Sequence, residues 1–470
     1  MINNSHYKEL CKYCDKLIGY NPSISRLSIS FLHIIRPHHI HSNNYELIFL
    51  KSNFSFFSHL LSKLIKTLSS FFMSFSRVLS QRNSYNIDYS NVDVIFVSHL
   101  FNINQVQSSK DLYFNDLYKD LKLNSVNPGR IYINHSKNKL SLKDDIIIGN
   151  SSLFNELFIR LLQFKEFLLL FYSSIINSKT KIEKRIKLLA SLESLSYSTL
   201  YNLRIYFFFK KFIKTYYPKV VITTFEGHAY ERIIYKVINS SSNIISAGYQ
   251  HSAIFKHQHS IIRSIDNNYK PKYIFSSGKI TSEILSKSNN HNSIIELGSS
   301  RGEVINKKNI DSGYYLVVPE GMIEDVDLFL DFVSQITKNN SDKKFLFRFH
   351  PAISVKQIMR RQLAYKQNSQ IIFSTNSLQE DIEKSNFVLY SGSTAVFSSI
   401  IAGLTPIYYD NQELDLNPLY QLRDTIQYVK GVEDFNRIKE DSETNKRKNI
   451  SYCKAYFSNF DFTKIIDLIR

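Results

Sequence analysis

The chain has 470 residues, of which 43% are hydrophobic. This length and composition predict a globular protein of two or three domains and exclude a disordered chain. Lys and Arg together number 59 and Asp and Glu 41, so the formal net charge is +18 and favours anionic partners. Because the sequence carries none of the nucleic-acid-binding signatures, we expect no nucleic acid but an anionic membrane surface or a phosphorylated substrate.

The three cysteines are too few for a disulfide scaffold and fit a reducing compartment. Cys11 and Cys14 form an isolated CxxC, which we interpret as two packed helix residues, because a zinc site needs further ligands nearby. Residues 1–20 are polar and charged rather than signal-like, and the longest apolar runs are shorter than the ~20 residues of a spanning helix. We therefore expect a cytoplasmic protein that can lie on a membrane surface.

Residues 53–78 combine aromatic, aliphatic and basic side chains at helical spacing. This composition suits an interfacial helix on anionic lipid, or else a helix that packs on its own domain with an exposed basic edge. The residues that form the pattern are Phe54, Phe56, Phe57, Leu60, Leu61, Leu64, Ile65, Leu68, Phe71 and Phe72, with Lys63, Lys66 and Arg77.

Strand-like runs alternate with helix-length segments along the chain, which predicts an α/β protein with parallel sheets. The runs span residues 92–99, 130–134, 220–225, 244–249, 272–275 and 294–297, and then 314–318, 344–349, 370–373, 387–390 and 405–409. We predict two facing, doubly wound Rossmann-like domains, residues 1–305 and 306–470. The first includes a helical extension within residues 1–90 and a helical insertion at residues 152–216, and a closing helix covers residues 462–468.

Polar groups follow three of the runs in the second half, where an open α/β sheet binds its ligands. Arg348 and His350 are two residues apart in the run that ends at Pro351, so their side chains are predicted to lie on the same face and both could contact a phosphate. Free backbone N–H groups and hydroxyls at a helix start can also hold an anion, although they can equally be ordinary caps. The residues that we predict to bind a nucleotide are Glu320, Gly321, Arg348, His350, Pro351, Ser391, Gly392, Ser393 and Thr394.

In the first half, Glu226 ends a strand and is the best candidate for a general base, because deprotonating a hydroxyl needs a carboxylate or imidazole within reach. The neighbouring candidates for the acceptor side are His99, His228, Glu231, Gln250 and His251. Each histidine could also be structural or exposed. His251, His257 and His259 lack a completing carboxylate, so we assign no metal.

These motifs resemble bacterial surface-polysaccharide glycosyltransferases of the GT-B fold, found in O-antigen and capsule gene clusters. The resemblance rests on Pro-Glu-Gly (319–321), Arg-Phe-His-Pro (348–351), Ser-Gly-Ser-Thr (391–394), Phe-Glu-Gly-His-Ala-Tyr-Glu-Arg (225–232) and Gly-Tyr-Gln-His-Ser (248–252), and it covers about residues 90–420.

The His-Pro and Ser/Thr pair is also similar to bacterial sialyltransferases and polysialyltransferases. That likeness implies that His350, Ser393 and Thr394 hold the phosphate of a cytidine monophosphate and that Glu226 is the base. The acidic motif of those enzymes usually carries two acidic residues, whereas here Phe225 precedes Glu226. Kdo transferases and alditol-phosphate polymerases share the Arg-x-His-Pro strand end and also use cytidine nucleotides.

The resemblance implies transfer of a sugar, expected to be a sialic-acid-like nonulosonate from a CMP donor, to a lipid-linked glycan. It implies a peripheral protein at the cytoplasmic face of the inner membrane and no cofactor or metal besides the donor. The alternatives are an alditol-phosphate or neutral-sugar transferase with another nucleotide donor, and a non-catalytic, membrane-associated assembly protein.

Overall fold

Two parallel β-sheets with flanking helices form the framework of the protein in the computed structural model. The structure describes residues 3–34, 42–78, 91–101, 111–135, 145–148, 153–288, 293–302, 313–351, 353–410 and 415–470. The predicted α/β class is confirmed: the structure has two doubly wound parallel sheets and extra helices at the N-terminal end.

The first sheet has the strand order β3-β2-β1-β4-β5-β6-β7 and all its neighbouring strands are parallel. Its first strand is an uninterrupted, fully buried apolar run, as expected for a parallel strand covered on both faces. The strands are β1 (Val94–Leu100), β2 (Pro128–Asn134), β3 (Ile146–Ile148), β4 (Val220–Thr224), β5 (Ile245–Gln250), β6 (Tyr273–Ser276) and β7 (Ser293–Glu296).

The second sheet repeats this arrangement with the order β10-β9-β8-β11-β12-β13, again with parallel neighbours. Its strands are β8 (Tyr314–Val318), β9 (Lys344–Phe347), β10 (Ile371–Phe373), β11 (Ser385–Tyr390), β12 (Thr405–Tyr409) and β13 (Gln427–Val429). The sequence predicted each strand except β3 and β13. Both lie at sheet edges and contain only three residues.

Helices cover both faces of each sheet and build a separate layer at the N-terminal end. In the first half they are α1 (Asn4–Ile18), α2 (Ile24–Leu27), α3 (Ser42–Phe49), α4 (Asn53–Val78), α5 (Leu117–Leu123), α6 (Leu153–Ile176), α7 (Lys181–Ser194), α8 (Tyr197–Tyr216), α9 (Ala229–Ile238), α10 (His259–Ile262) and α11 (Lys279–Ser288). In the second half they are α12 (Ile323–Asn339), α13 (Val355–Ala364), α14 (Leu378–Glu383), α15 (Ala395–Ile401), α16 (Val432–Phe435), α17 (Glu443–Tyr456) and α18 (Thr463–Ile469).

The helical insertion predicted at residues 152–216 consists of α6, α7 and α8. Helix α7 is buried along most of its length and packs against α1, α3, α4 and α6. Cys11 and Cys14 lie in the same apolar core as free thiols. The side chains of Phe71, Phe72 and Arg77, which belong to the pattern predicted for α4, lie outside the described residues.

The chain returns to the first sheet after α17. The Ser458 backbone N–H donates to the carbonyl of Ser277 at 2.9 Å, and the Asp461 N–H donates to the carbonyl of Leu297 at 2.8 Å. Ile465 of α18 then packs in the core under the first sheet. The predicted domain boundary between residues 305 and 306 lies outside the described residues. Helix α18 packs on the first sheet, although it follows the strands of the second.

The segment after β5 makes the opposite crossing. Ala253 and Phe255 are buried in the apolar core of the second sheet, and the Ile254 N–H donates to the hydroxyl of Tyr456 at 2.7 Å. Residues 251–255 therefore run from the carboxyl end of β5 directly into the contact between the two halves. This contact places the loops of the first sheet beside the second domain.

Candidate active site

Both sheets reverse their winding between two adjacent strands, and the predicted site residues follow those strands. In the first sheet the reversal lies between β1 and β4, whose carboxyl ends carry His99 and Glu226. In the second it lies between β8 and β11, which lead into Glu320 and Ser391. The crevice at such a reversal is where open α/β sheets bind ligands.

Glu226 lies at the open end of the first crevice with its side chain 26% exposed. One carboxylate oxygen accepts the hydroxyl hydrogen of Ser252 at 2.5 Å, and the other lies 3.2 Å from Nε2 of His228. Burial alone would raise the pKa of Glu226, but the hydrogen bond from His228 and the nearby His251 hold it well below its usual value. The carboxylate is therefore ionised at neutral pH.

His228 responds in the opposite direction. Burial alone would lower its pKa, but the hydrogen bond with Glu226 and the charge of Glu231 raise it above the usual value. The two residues thus form an acid–base pair in which the imidazole is protonated more readily than a free histidine.

Glu231, predicted on the acceptor side, is completely buried beneath this loop. Its carboxylate accepts the backbone N–H groups of Glu226 at 3.1 Å, Gly227 at 2.7 Å and His228 at 2.9 Å. It forms a capping box at the start of α9, which fixes the direction of the loop. Its position supports a structural role in holding Glu226 rather than a contact with an acceptor.

His99 is also largely buried, at the end of β1. Its Nε2 lies 2.9 Å from the hydroxyl of Tyr230, and its Nδ1 lies 2.7 Å from Nε2 of His135. Burial and then the neighbouring His135 hold the pKa of His99 well below its usual value. The exposed ring of Phe101 stacks on His135 with centroids 4.9 Å apart. These rings form an aromatic wall on the first domain.

Gln250 and His251 follow β5 and differ in exposure. Gln250 is completely buried, and its side-chain amide donates to the carbonyl of Ser252 at 3.2 Å, so it supports the residue that binds Glu226. The partly exposed His251 packs edge-on against Tyr113, with centroids 4.6 Å apart. Burial lowers the pKa of His251 to about 4 against the opposing charge of Glu226, so this histidine is neutral at pH 7.

In the second domain, the buried carboxylate of Asp325 connects two of the predicted loops. Its Oδ2 accepts the Glu320 backbone N–H at 2.6 Å and the Ser391 hydroxyl at 3.0 Å. Asp325 is completely buried in the first turn of α12. The loops after β8 and β11 are therefore held together by one side chain that sequence reasoning missed.

The glycines of these two loops lie in close contact with neighbouring side chains. A Cβ atom at Gly392 would lie 2.5 Å from the carboxyl carbon of Glu320, and one at Gly321 would lie 2.8 Å from Nδ1 of His350. Glu320 is buried, whereas His350 is exposed at the end of its strand. The structure thus brings Glu320, Gly321, His350 and Gly392 into one compact group.

Ser393 and Thr394 complete the loop before α15. Ser393 is buried and Thr394 is half-buried. The Thr394 side chain makes no capping hydrogen bond, so the alternative of an ordinary Thr394 cap is not observed. Pro351 follows His350 at the exposed end of this group.

Arg348 makes its described contacts outside this group. Its Nη1 donates to the carbonyl of Asn376 at 2.7 Å and to Oδ2 of Asp381 at 2.9 Å. Asp381 is completely buried, and the Arg348 side chain is 26% exposed. The two-residue spacing predicted that Arg348 and His350 contact a common phosphate. In the structure, the described contacts of Arg348 are with the β10–α14 region instead.

Sequence reasoning also missed Arg301, in the short 3-10 turn Ser300–Gly302 after β7. Its guanidinium carbon lies 5.6 Å from the ring centroid of Phe457, and the side chain is exposed at the contact between the two halves. Desolvation lowers its pKa, while the charges of Tyr249 and Glu226 oppose this shift. Arg301 is therefore a cation that acts on the Glu226 cluster, and a lone Arg-Gly in a polar loop gave no signal.

Among the described residues, no group of three or more His, Cys, Asp or Glu side chains is arranged to hold a metal ion. No described helix is both long and apolar enough to cross a bilayer.

Comparisons with known proteins find similarity in structure alone. No protein-family model matches the sequence, and no curated protein matches it. The chain resembles several solved structures, among them UDP-N-acetylglucosamine 2-epimerases. One is Staphylococcus aureus MnaA with UDP, at 10% identity and a TM-score of 0.47, covering 80% of this chain and 96% of that one. The UDP-GlcNAc 2-epimerase of Methanocaldococcus jannaschii, in complex with UDP-GlcNAc and UDP, gives 12% identity, a TM-score of 0.45, and coverage of 80% and 98%.

A third similar structure is the wall teichoic acid polymerase TagF, at 12% identity and a TM-score of 0.41, covering 88% of this chain and 97% of that one. Because all these identities are low, the functional proposal rests on the geometry of the site.

Proposed function

We propose that this protein is a glycosyltransferase that uses a nucleotide-activated sugar to build a bacterial surface polysaccharide such as an O-antigen or capsule. The observation that supports it most is the pairing of two loop groups at the two winding reversals. One group, around Gly392 and His350, has the exposed imidazole and close backbone that suit a nucleotide phosphate. The other presents the ionised Glu226.

On the donor side, His350 and the hydroxyls of Ser393 and Thr394 bind the phosphate of the nucleotide. Negative charge grows on that phosphate as the bond to the sugar breaks, and fixed donors stabilise it most at that moment. Asp325 has no direct role in this step, since its carboxylate holds the Glu320 and Ser391 loops in register.

On the acceptor side, Glu226 takes the proton from the acceptor hydroxyl that replaces the nucleotide phosphate on the sugar. Its carboxylate is ionised, and His228 and Ser252 fix its direction. The aromatic wall, of which the Phe101 ring is exposed, offers a surface on which sugar rings can stack. Arg301 supplies the nearby positive charge that an anionic donor group needs.

The donor that we propose is a CMP-linked nonulosonate. It carries a single phosphate and a carboxylate, which His350 and Arg301 could bind separately, so the proposed transfer is metal-independent. The acceptor is a lipid-linked glycan at the cytoplasmic face of the inner membrane. Phe54 and Leu61 of α4 are 86% and 60% exposed, which supports a peripheral membrane contact.

Thermal unfolding with CMP, CDP, UDP and GDP tests this proposal. A nucleotide at a hundred times its Kd stabilises the protein by about 2.7 kcal/mol, and we expect CMP to give the largest shift. His350→Ala should remove the shift, and His59→Ala, which changes an exposed histidine on α4, should keep it.

Stabilisation by UDP, GDP or CDP alone would instead favour a neutral-sugar or alditol-phosphate transferase. If no nucleotide stabilises the protein and cells with Glu226→Gln make the surface polysaccharide normally, the chain is a non-catalytic assembly protein. That result refutes the proposal.

A further inference from the structure

Helix α6 (Leu153–Ile176) is an amphipathic helix with its polar side turned into the protein. Glu156, Arg160, Gln163, Glu166 and Ser174 are all at most 5% exposed. In contrast, ten apolar or aromatic side chains between Leu157 and Ile176 are 41% to 67% exposed. A surface helix of a soluble domain normally has the reverse orientation.

Ion pairs and hydrogen bonds fix this orientation. Glu156 accepts two hydrogen bonds from Arg204 of α8, at 2.6 and 3.0 Å, and the pair is buried. Glu166 accepts from Arg26 at 2.6 Å, and the Gln163 amide donates to a backbone carbonyl at the end of α7 at 2.8 Å. Turning the apolar face inward would break these contacts and leave buried charges unpaired, which is costly.

The outward face is therefore a permanent apolar surface. Its most exposed members are Leu161, Tyr172, Ile175 and Ile176. A helix of this length extends about 36 Å. A stripe of exposed apolar side chains of this length is typical of a site of interaction.

The charges around the stripe indicate the partner. Lys165 on the helix and Lys179, Lys181 and Lys184 just beyond it are exposed. The acidic residues between 155 and 184 are Glu156, Glu166 and Glu183, and all three are buried. The exposed charges of residues 155–184 are thus all positive. An anionic lipid surface complements these charges, whereas a second copy would bring like charges together.

Helix α4 has the same character. Among its described side chains, Phe54, Phe57 and Ile65 are exposed, Lys63 and Lys66 are present, and no carboxylate occurs. Helices α4 and α6 both pack against the buried helix α7, so the two apolar surfaces are supported by one core.

We propose that the outward face of α6 inserts into the interfacial layer of an anionic bilayer and orients the first domain on it. Arg204 ties α6 to α8, where the hydroxyl of Tyr201 accepts the N–H of Asn134 at 2.9 Å and donates to the carbonyl of Ile148 at 3.0 Å. These groups lie at the carboxyl edge of the first sheet. Membrane binding would therefore hold the Glu226 side of the crevice toward a lipid-linked acceptor, a consequence that rests on the proposed function.

Flotation with vesicles of phosphatidylcholine, with and without phosphatidylglycerol, tests this inference. Wild-type protein should float with the anionic vesicles. The triple variant Leu161→Ser, Phe164→Ser and Leu168→Ser should bind them at least tenfold more weakly, because it removes apolar surface without touching the buried ion pairs.

The matched control is the triple variant Val355→Ser, Met359→Ser and Leu363→Ser on α13, whose side chains are 72%, 63% and 73% exposed. It should bind the vesicles as wild type does. Replacing Lys179, Lys181 and Lys184 by Gln should weaken anionic binding on the order of 100-fold, at about fivefold per lysine.

Equal flotation of the α6 variant and wild type would overturn the inference. Absence of wild-type flotation would also overturn the inference. This includes the result that the wild type does not float and is a dimer that the α6 variant converts to a monomer. The nucleotide-induced shift in Tm separates this inference from the proposed function. If the shift persists without flotation, only the membrane inference fails; if flotation persists without a shift, only the proposed function fails.

Discussion

Replacing Arg348 by Ala distinguishes a phosphate-binding arginine from one that shapes the strand end. In the structure its Nη1 bonds the Asn376 carbonyl at 2.7 Å and the Asp381 carboxylate at 2.9 Å. After the substitution, the buried Asp381 keeps the Ser374 hydroxyl at 2.6 Å but loses its paired charge. We therefore expect loss of stability more than loss of nucleotide affinity.

The size of the effect follows from the two lost bonds. Hydrogen bonds to charged groups contribute about 1.5–3 kcal/mol each. The Arg348 side chain is 26% exposed, so water already shares part of its solvation, and we expect a destabilisation of about 3 kcal/mol. For a domain of 150–250 residues this corresponds to a decrease in Tm of roughly 6–12 °C.

Thermal unfolding and nucleotide binding, measured on the same preparations, provide the assay. His350→Ala is the matched comparison, because His350 is exposed at the end of the same segment. It should leave Tm nearly unchanged and reduce turnover by about 100-fold or more. If Arg348→Ala retained the wild-type Tm but lost nucleotide binding, the guanidinium would contact phosphate and the reasoning from its ion pair would be wrong.

Two further predictions concern the loops at the winding reversals. Glu226→Gln should reduce turnover about 100-fold or more and lower the pKa of His228. In the wild type the pKa of His228 is raised, so the His228–Glu226 pair stabilises the fold fully below the usual value of about 6.5. This stabilisation decreases as pH rises through the raised pKa. Without Glu226, burial should dominate the pKa of His228, and a histidine NMR titration measures the change. Gly392→Ala should weaken nucleotide binding about tenfold or more, because the added Cβ would lie 2.5 Å from the carboxyl carbon of Glu320. The control is Gly431→Ala, whose added Cβ would have no atom within 4 Å. This control variant should bind the nucleotide as the wild type does.

Most of the sheet framework could be predicted from the sequence, because parallel strands covered on both faces are uninterrupted apolar runs such as residues 314–318. The positions of Glu226 and Gly392 could be predicted for the same reason, since they directly follow such strands. The local pattern could not show where long side chains end. The two-residue spacing of Arg348 and His350 predicted a shared phosphate contact, yet the Arg348 guanidinium reaches Asp381, thirty-three residues away along the chain.

The orientation of α6 was hidden for a related reason. Periodic apolar positions predicted a helix in this region, and the structure confirms it. Periodicity does not determine which side faces inward, because that depends on partners such as Arg26 and Arg204, which lie in other helices. Arg301 was missed because its contact with Phe457 forms only where the two halves of the chain pack together.

The loops at the two winding reversals share one local hydrogen-bonding pattern, and each loop carries a glutamate. Glu226 and Glu320 each precede a glycine after a strand, and each donates its backbone N–H to a buried carboxylate five residues later, Glu231 or Asp325. Their surroundings then separate their roles. Glu320 is 4% exposed and packs on the Gly392 backbone, so it supports the loop, whereas the Glu226 side chain is 26% exposed and faces the crevice. The proposed function therefore assigns the chemistry at a carboxylate to the first domain and phosphate binding to the second.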